Sequence, residues 1–305
     1  MSKIFVHAKT MIDGVSDTPK FDQLITCEDG KITAIEPYHT INEDVVEANV
    51  VTPGFFNCHV HIMEPVGFGT DKEFTFIEKT FYTQKHLEDY INSGVTFIRV
   101  VGTENDYDMD IRDCVDAGLV KGPHMLCAGR CICMTGGHGW QGGIEADGVD
   151  ECRKAARTLL KKGVDLIKVM ATGGVMTKGV EAGIADYMVK KAIYVKDAHV
   201  ESFKKAYAQG VKIALGTDGG TPFNYHNNTA YEFELMEKYG VNRMDILKIA
   251  THNSADCLGV LDDYGTLEVG KNADLVCLKE NPLDAISNVR KIDKVIKDGA
   301  VVVEK

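Results

Sequence analysis

Two histidines one residue apart, His59 and His61, follow the apolar run at residues 50–56. In an extended strand, residues i and i+2 leave the same face, so both imidazoles aim at one point. The end of such a strand is where α/β barrels place their active sites, and imidazole is a favoured ligand for zinc and its neighbours. The same spacing also occurs in solvent-facing loops; the apolar strand leading into it favours metal binding. Asp218 closes another apolar run, residues 211–218, and precedes Gly219-Gly220. A carboxylate there can ligate a metal and accept a proton from water, or it can simply cap a turn. Lys168 stands inside the apolar stretch Leu166-Ile-Lys-Val-Met. A buried lysine is costly unless paired or chemically altered, and a lowered pKa allows carbamate formation. An ordinary ion-paired or snorkelling lysine is the alternative. His138, in Gly136-Gly-His-Gly-Trp140, sits among glycines that let backbone approach a ligand, and could orient a substrate carboxylate or carbonyl. A surface turn would read the same way. His252, within a helical stretch, reads as structural, and His199 and His226 carry weaker signals still.

These residues need a scaffold. The middle of the chain alternates strand and helix: strands at 50–56, 95–101, 125–134, 165–170 and 211–216, with helices at 77–93, 111–117, 150–162, 196–209 and 244–258. Continuous apolar strands alternating with helices predict a parallel sheet, open or closed. Both ends differ from this pattern. Short strands are expected at 3–7, 23–28, 31–36 and 47–52, and again at 273–278, 294–297 and 300–303, the last two flanking the turn Asp298-Gly299. The division expected is therefore a small β-domain from residues 1–53 and 262–305, enclosing a unit at 54–261.

With 34 Lys plus Arg against 45 Asp plus Glu, the net charge of −11 argues against a nucleic-acid or anionic-membrane binder. The first residues hold no long apolar run of the signal-peptide kind, and no stretch approaches the ~20 apolar residues of a membrane span. Nine cysteines in such a chain read as reduced thiols of a cytoplasmic protein. Cys127, Cys131 and Cys133 lack the paired spacing of a zinc knuckle, so core packing is the expectation for them.

Four ordered motifs then carry a resemblance: Thr52-Pro-Gly-Phe-Phe-Asn-Cys-His59-Val-His61, Ile167-Lys-Val-Met-Ala-Thr-Gly-Gly174, Leu215-Gly-Thr-Asp218-Gly-Gly-Thr-Pro222 and Gly265-Thr-Leu-Glu-Val-Gly-Lys-Asn-Ala-Asp274. Together the chain resembles the amidohydrolase superfamily, in its imidazolonepropionase-like and Xaa-Pro or Xaa-Arg/Lys dipeptidase-like branch. The resemblance implies a TIM-type (β/α)8 barrel with a β-sandwich built from both termini. It implies a zinc centre of one or two ions whose ligands are His59, His61, a carboxylated Lys168 and Asp218, with Asp218 as the catalytic base and His138 facing substrate. The reaction implied is hydrolysis of an amide or peptide C–N bond in a dipeptide, an N-acyl amino acid or a cyclic amide, by metal-activated water.

One departure is large. The resemblance implies strands 5, 6 and 7, two of them ending in histidine ligands, between Gly174 and Val211. At roughly 30 residues per βα unit, three units need about 90. The interval 175–210 holds 36. The text passes from a segment that should precede strand 5 to one resembling the stretch after strand 7, with the join at 180–183. Five barrel strands remain, and exposed edges on strands 4 and 8 predict pairing with another chain, a homo-oligomer. The alternative is a catalytically impaired, internally deleted protein that binds metal or ligand or serves in assembly.

Overall fold

A computed structural model describes residues 3–66, 73–171, 184–221 and 224–305, with backbone alone at 184–192 and 194. The strands are β1 Lys3–Met11, β2 Lys20–Glu28, β3 Lys31–Pro37, β4 Val45–Pro53, β5 Phe55–Val60, β6 Val95–Val100, β7 His124–Cys127, β8 Ile132–Cys133, β9 Ile144–Glu145, β10 Leu275–Leu278, β11 Ile292–Lys297 and β12 Ala300–Glu304. The helices are α1 Phe76–Asn92, α2 Tyr107–Asp116, α3 Gly148–Lys162, α4 Ile184–Ala208, α5 Ala230–Lys238, α6 Arg243–Lys248 and α7 Ser254–Leu258. The protein is a mixed α/β structure with a large β-sheet.

Both ends of the chain build that sheet, in the order β12-β11-β10-β4-β1-β2-β3. Only β1 and β4 run parallel; every other neighbouring pair is antiparallel. Its hairpin turns at Asp29-Gly30 and Asp298-Gly299 have positive φ at both residues, the conformation that twists with the strands. The sheet rolls until the start of β3 meets residues 270–272, where Ile32 N donates to Lys271 O (2.8 Å) and Gly270 N to Ile32 O (2.8 Å). What was expected as a sandwich is thus one rolled sheet. In β10, Leu275 and Cys277 face the core inside the roll while Val276 and Leu278 join the main core, the period of two that a strand buried on both faces requires.

Gly54 separates this sheet from the parallel array. A Cβ there would lie 2.0 Å from Thr96 Oγ1, so the apolar run at 50–56, read as one strand, instead breaks into β4 and β5. β5, β6 and β7 pair in parallel. Residues 215–219 run along the free side of β5. On the far side, the segment expected as a strand at 165–170 meets its neighbour at two points: Asp165 N donates to Cys127 O (2.9 Å), and Ile132 N donates to Lys168 O (2.8 Å) while its O accepts from Met170 N (2.8 Å). The strand expected at 125–134 is likewise broken between β7 and β8. Five extended segments therefore lie side by side, with unpaired edges at both ends among the described residues.

Helices pack on the array through two separate clusters: α1 with Phe55, Val95 and Ile98, and α7 with Phe56, Cys58 and Phe97. α1 begins with a capping box in which Thr75 and Glu78 satisfy each other's backbone N–H, and it buries Leu87, Tyr90 and Ile91. α3 ends at Gly163 in the left-handed conformation. The helix expected at 244–258 is interrupted by a π turn at Ile249–Asn253. That turn lets Ser254 Oγ donate to Ile249 O (2.6 Å) and accept from Leu215 N (3.0 Å), tying it to the segment beside β5. No helix among the described residues is long and apolar enough to cross a membrane.

Candidate active site

The ladder between β5 and residues 215–219 sets the site. Cys58 N donates to Leu215 O (2.8 Å), Asp218 N to His59 O (2.9 Å) and His61 N to Gly219 O (2.7 Å). This register puts the Asp218 carboxylate between the two histidines, its Oδ1 3.2 Å from His59 Nε2 and 3.3 Å from His61 Nε2. His59 and His61 are half-buried and Asp218 is exposed, so the group opens to solvent on one side.

The backbone around them steers these side chains. His61 Nδ1 donates to Gly102 O (3.3 Å), which leaves Nε2 free to meet a cation. Asp218 adopts φ 57°, a left-handed conformation uncommon outside glycine. Burial alone would raise its carboxyl, but hydrogen bonds and charge from His59 and His61 outweigh that and hold it well below the usual range. The glycines around it are required by space. At Gly216 a Cβ would press on His59 Cβ at 3.0 Å; at Gly220, with φ +100°, it would lie 2.0 Å from His61 O.

Asn57 gave no signal in the sequence beyond being a polar residue in the apolar run of β5. It is fully buried, and its Oδ1 accepts from Thr217 N (3.1 Å) and His59 N (3.4 Å). Its Nδ2 donates to Thr217 Oγ1 (2.8 Å) and Thr229 Oγ1 (3.3 Å). Behind Gly219 lies a buried aromatic group: the Tyr90 hydroxyl and His226 Nδ1 share a 2.7 Å hydrogen bond, and the His86 ring lies 3.9 Å from that of His226. Burial, reinforced by His86, pushes His226 down to about 2. His226, a weak signal in the sequence, is thus a neutral support beneath the site.

Lys168 is half-buried on the thinly paired segment beside Ile132, not enclosed in a strand, and its ammonium has no ion pair or hydrogen bond among the described residues. His138 is half-buried in the loop after β8. His199 is exposed on α4, and His252 lies in the π turn with Nδ1 3.1 Å from Asn253 Oδ1. Cys127, Cys131 and Cys133 are buried, unpaired thiols, the packing role expected of them. The join at 180–183 lies outside the described residues.

The set fits a small divalent ion. Metal–nitrogen and metal–oxygen bonds of 2.0–2.2 Å in a tetrahedron separate ligand atoms by about 3.3–3.6 Å; the two separations here, 3.2 and 3.3 Å, lie just under and at the lower limit.

The model of the amidohydrolase family matches the chain in two parts, residues 50–183 and 178–302. Ochratoxinase from Aspergillus niger is 24% identical over 359 aligned positions, spanning 78% of this chain and 72% of that protein. Since 78% of 305 residues is about 238, roughly 120 of those positions are filled by the relative alone. Imidazolonepropionase from Thermoanaerobacter pseudethanolicus is 27% identical over 173 positions, 53% of this chain and 36% of that protein. Among solved structures, a Xaa-Pro dipeptidase with methionine in its active site superposes with a TM-score of 0.87 at 24% identity over the whole of both chains. The A. niger ochratoxinase structure gives 0.83 at 19% identity, covering all of this chain and 96% of that one. Both likenesses are of fold. The break in the family match, at 178–183, falls where the sequence reading placed its join, and on either side of it the chain belongs to the amidohydrolase family, hydrolases of carbon–nitrogen bonds.

Proposed function

We propose that this protein hydrolyses an amide or peptide C–N bond at a zinc centre held by His59, His61 and Asp218. The convergence of these three side chains from two parallel segments carries the reading. When bound, zinc acidifies a water molecule and polarises the scissile carbonyl. Asp218, held ionised, accepts the proton of the attacking water and returns it to the leaving nitrogen. His138 orients the substrate from the loop after β8. Lys168, if carboxylated, would supply a further anionic oxygen to hold a second ion. The scaffold for this chemistry is a (β/α)8 barrel reduced to five strands. Substrates in keeping with the relatives are dipeptides with C-terminal Pro, Arg or Lys, N-acyl amino acids and cyclic amides. The enzyme works in the cytoplasm, on small molecules and neither nucleic acid nor membrane.

The test is turnover of such a panel by protein purified without chelator, with zinc content measured on the same sample. Zinc-dependent hydrolysis that drops at least 100-fold in both His59→Ala and Asp218→Asn is expected. An unchanged rate in both variants would end this assignment.

The two open edges favour a second reading, in which the shortened barrel binds metal but turns nothing over and acts through assembly. Val169 and Val211, on the segments at those edges, are 57% and 53% exposed, and Ile193 on α4 is 67% exposed. Bound zinc without turnover, in a self-associating protein of the expected intact mass, would select this reading. A compact monomer that hydrolyses the panel would eliminate it.

A further inference from the structure

Besides the candidate active site, the described residues hold one other constellation of metal-ligating atoms, His124, Asp274 and Asp298. They come from three distant places: the first residue of β7 in the parallel array, the residue before β10, and the turn between β11 and β12. They meet at the seam between the terminal sheet and the array. His124 Nε2 lies 3.4 Å from Asp274 Oδ2 and 3.4 Å from Asp298 Oδ1.

We propose that this seam binds a divalent cation of the zinc class as a structural staple, separate from the hydrolytic site. A protonated imidazole bonded to carboxylate would stand at about 2.7–2.9 Å. Both contacts are wider, and neither His124 Nε2 nor Asp274 Oδ2, each shut off from solvent, completes a hydrogen bond. The distance instead equals the edge of a tetrahedron around an ion with 2.0–2.2 Å bonds. Asp274 is 6% exposed, and its other oxygen accepts from Asp298 N (2.9 Å), which turns Oδ2 toward His124. Burial of an unpartnered carboxylate oxygen is costly, and an ion removes that cost.

The local field also suits a cation. Two carboxylates face the His124 ring from separate elements, so negative charge converges on one point. Lys297 neutralises only part of that field, since it pairs with the outward Oδ2 of Asp298 at 3.0 Å. Asp298 is half-exposed, which leaves an approach for the ion and for a water as fourth ligand. The Tyr264 ring, 5.0 Å from that of His124, walls the site on one side.

The test compares Co2+ binding by the wild-type protein and by Asp298→Asn, followed by the visible absorption of tetrahedral cobalt. Asn-Gly is favoured in the same turn as Asp-Gly, so this variant keeps the fold. Wild type is expected to take up one equivalent more than Asp298→Asn, or to bind it at least tenfold more tightly. The rise in melting temperature on adding Zn2+ should persist in His59→Ala/His61→Ala and vanish when Asp298→Asn is added. Should the double variant not fold, the wild-type difference decides alone. Equal stoichiometry and affinity in wild type and Asp298→Asn would overturn the proposal and leave His124 as an ion pair.

Discussion

Asn57 does no chemistry, yet four groups that fix the candidate site depend on its amide. Replacing it by alanine strands the backbone N–H groups of Thr217 and His59 and removes a donor from the hydroxyls of Thr217 and the buried Thr229. A cost of about 1–3 kcal/mol in chemical unfolding is expected, with weaker zinc binding, because the register of Asp218 against β5 loosens. His226 predicts a pH effect. Its folded pKa is depressed to about 2 from an ordinary value near 6.5. The unfolded chain therefore binds the extra proton, and the stability His226 contributes is present above pH ~6.5 and lost as pH falls toward 2. His86, also lowered chiefly by burial, acts in the same sense. Unfolding free energy in chelator should fall by up to about 1.4 kcal/mol per pH unit per imidazole below pH 6.5. His226→Gln should flatten the slope, and an unaltered slope would refute this account.

The helix–strand alternation tells where an element ought to lie, but its partners decide whether it forms. Leu166-Ile-Lys-Val-Met has the apolar pattern of a strand, yet among the described residues its backbone pairs with Ile132 alone, so an apolar pattern without a second partner does not make a strand. The helix at 244–258 shows the reverse case: its periodicity is unbroken, and the π turn exists so that Ser254 can reach Leu215, a contact between residues far apart in sequence. His59 and His61 were legible because their relation is local, two positions along one strand. Asp218 was legible by type and by its glycines, although its left-handed backbone was not. Asn57, Tyr90 and His226 were not, since their importance arises from partners more than 130 residues away. At this scale Gly220 is the sharpest test. Gly220→Ala drives a methyl group into His61 O and strains a positive φ; destabilisation of about 1–3 kcal/mol and a zinc affinity at least tenfold weaker are expected. Isothermal titration with zinc, paired with denaturant melts, would show either effect, and wild-type values in both would disprove the packing argument.

For the whole molecule, the open array is the governing fact. Among the described residues the array ends in unpaired segments on both sides, and such backbone can be satisfied by another chain. Self-association is expected at micromolar concentrations, measured by sedimentation velocity. Placing charge on the two edges with Val169→Lys and Val211→Lys should shift the population toward monomer while leaving zinc binding at His59 and His61 intact. A wild-type protein that stays monomeric throughout would show that the edges are protected by some other means.

The rolled sheet carries a consequence for synthesis. β4 lies at its middle with β1 on one side and β10 on the other, yet β10 leaves the ribosome more than 200 residues after β4. At 5–20 residues per second that delay is on the order of ten to forty seconds. During it, β1 to β4 have a hydrogen-bonding edge and an apolar face waiting for strands not yet made, and the nascent chain is a natural client for chaperones. A product ending before residue 275 would lack β10, β11 and β12 and leave β4 as an unpaired edge of the sheet.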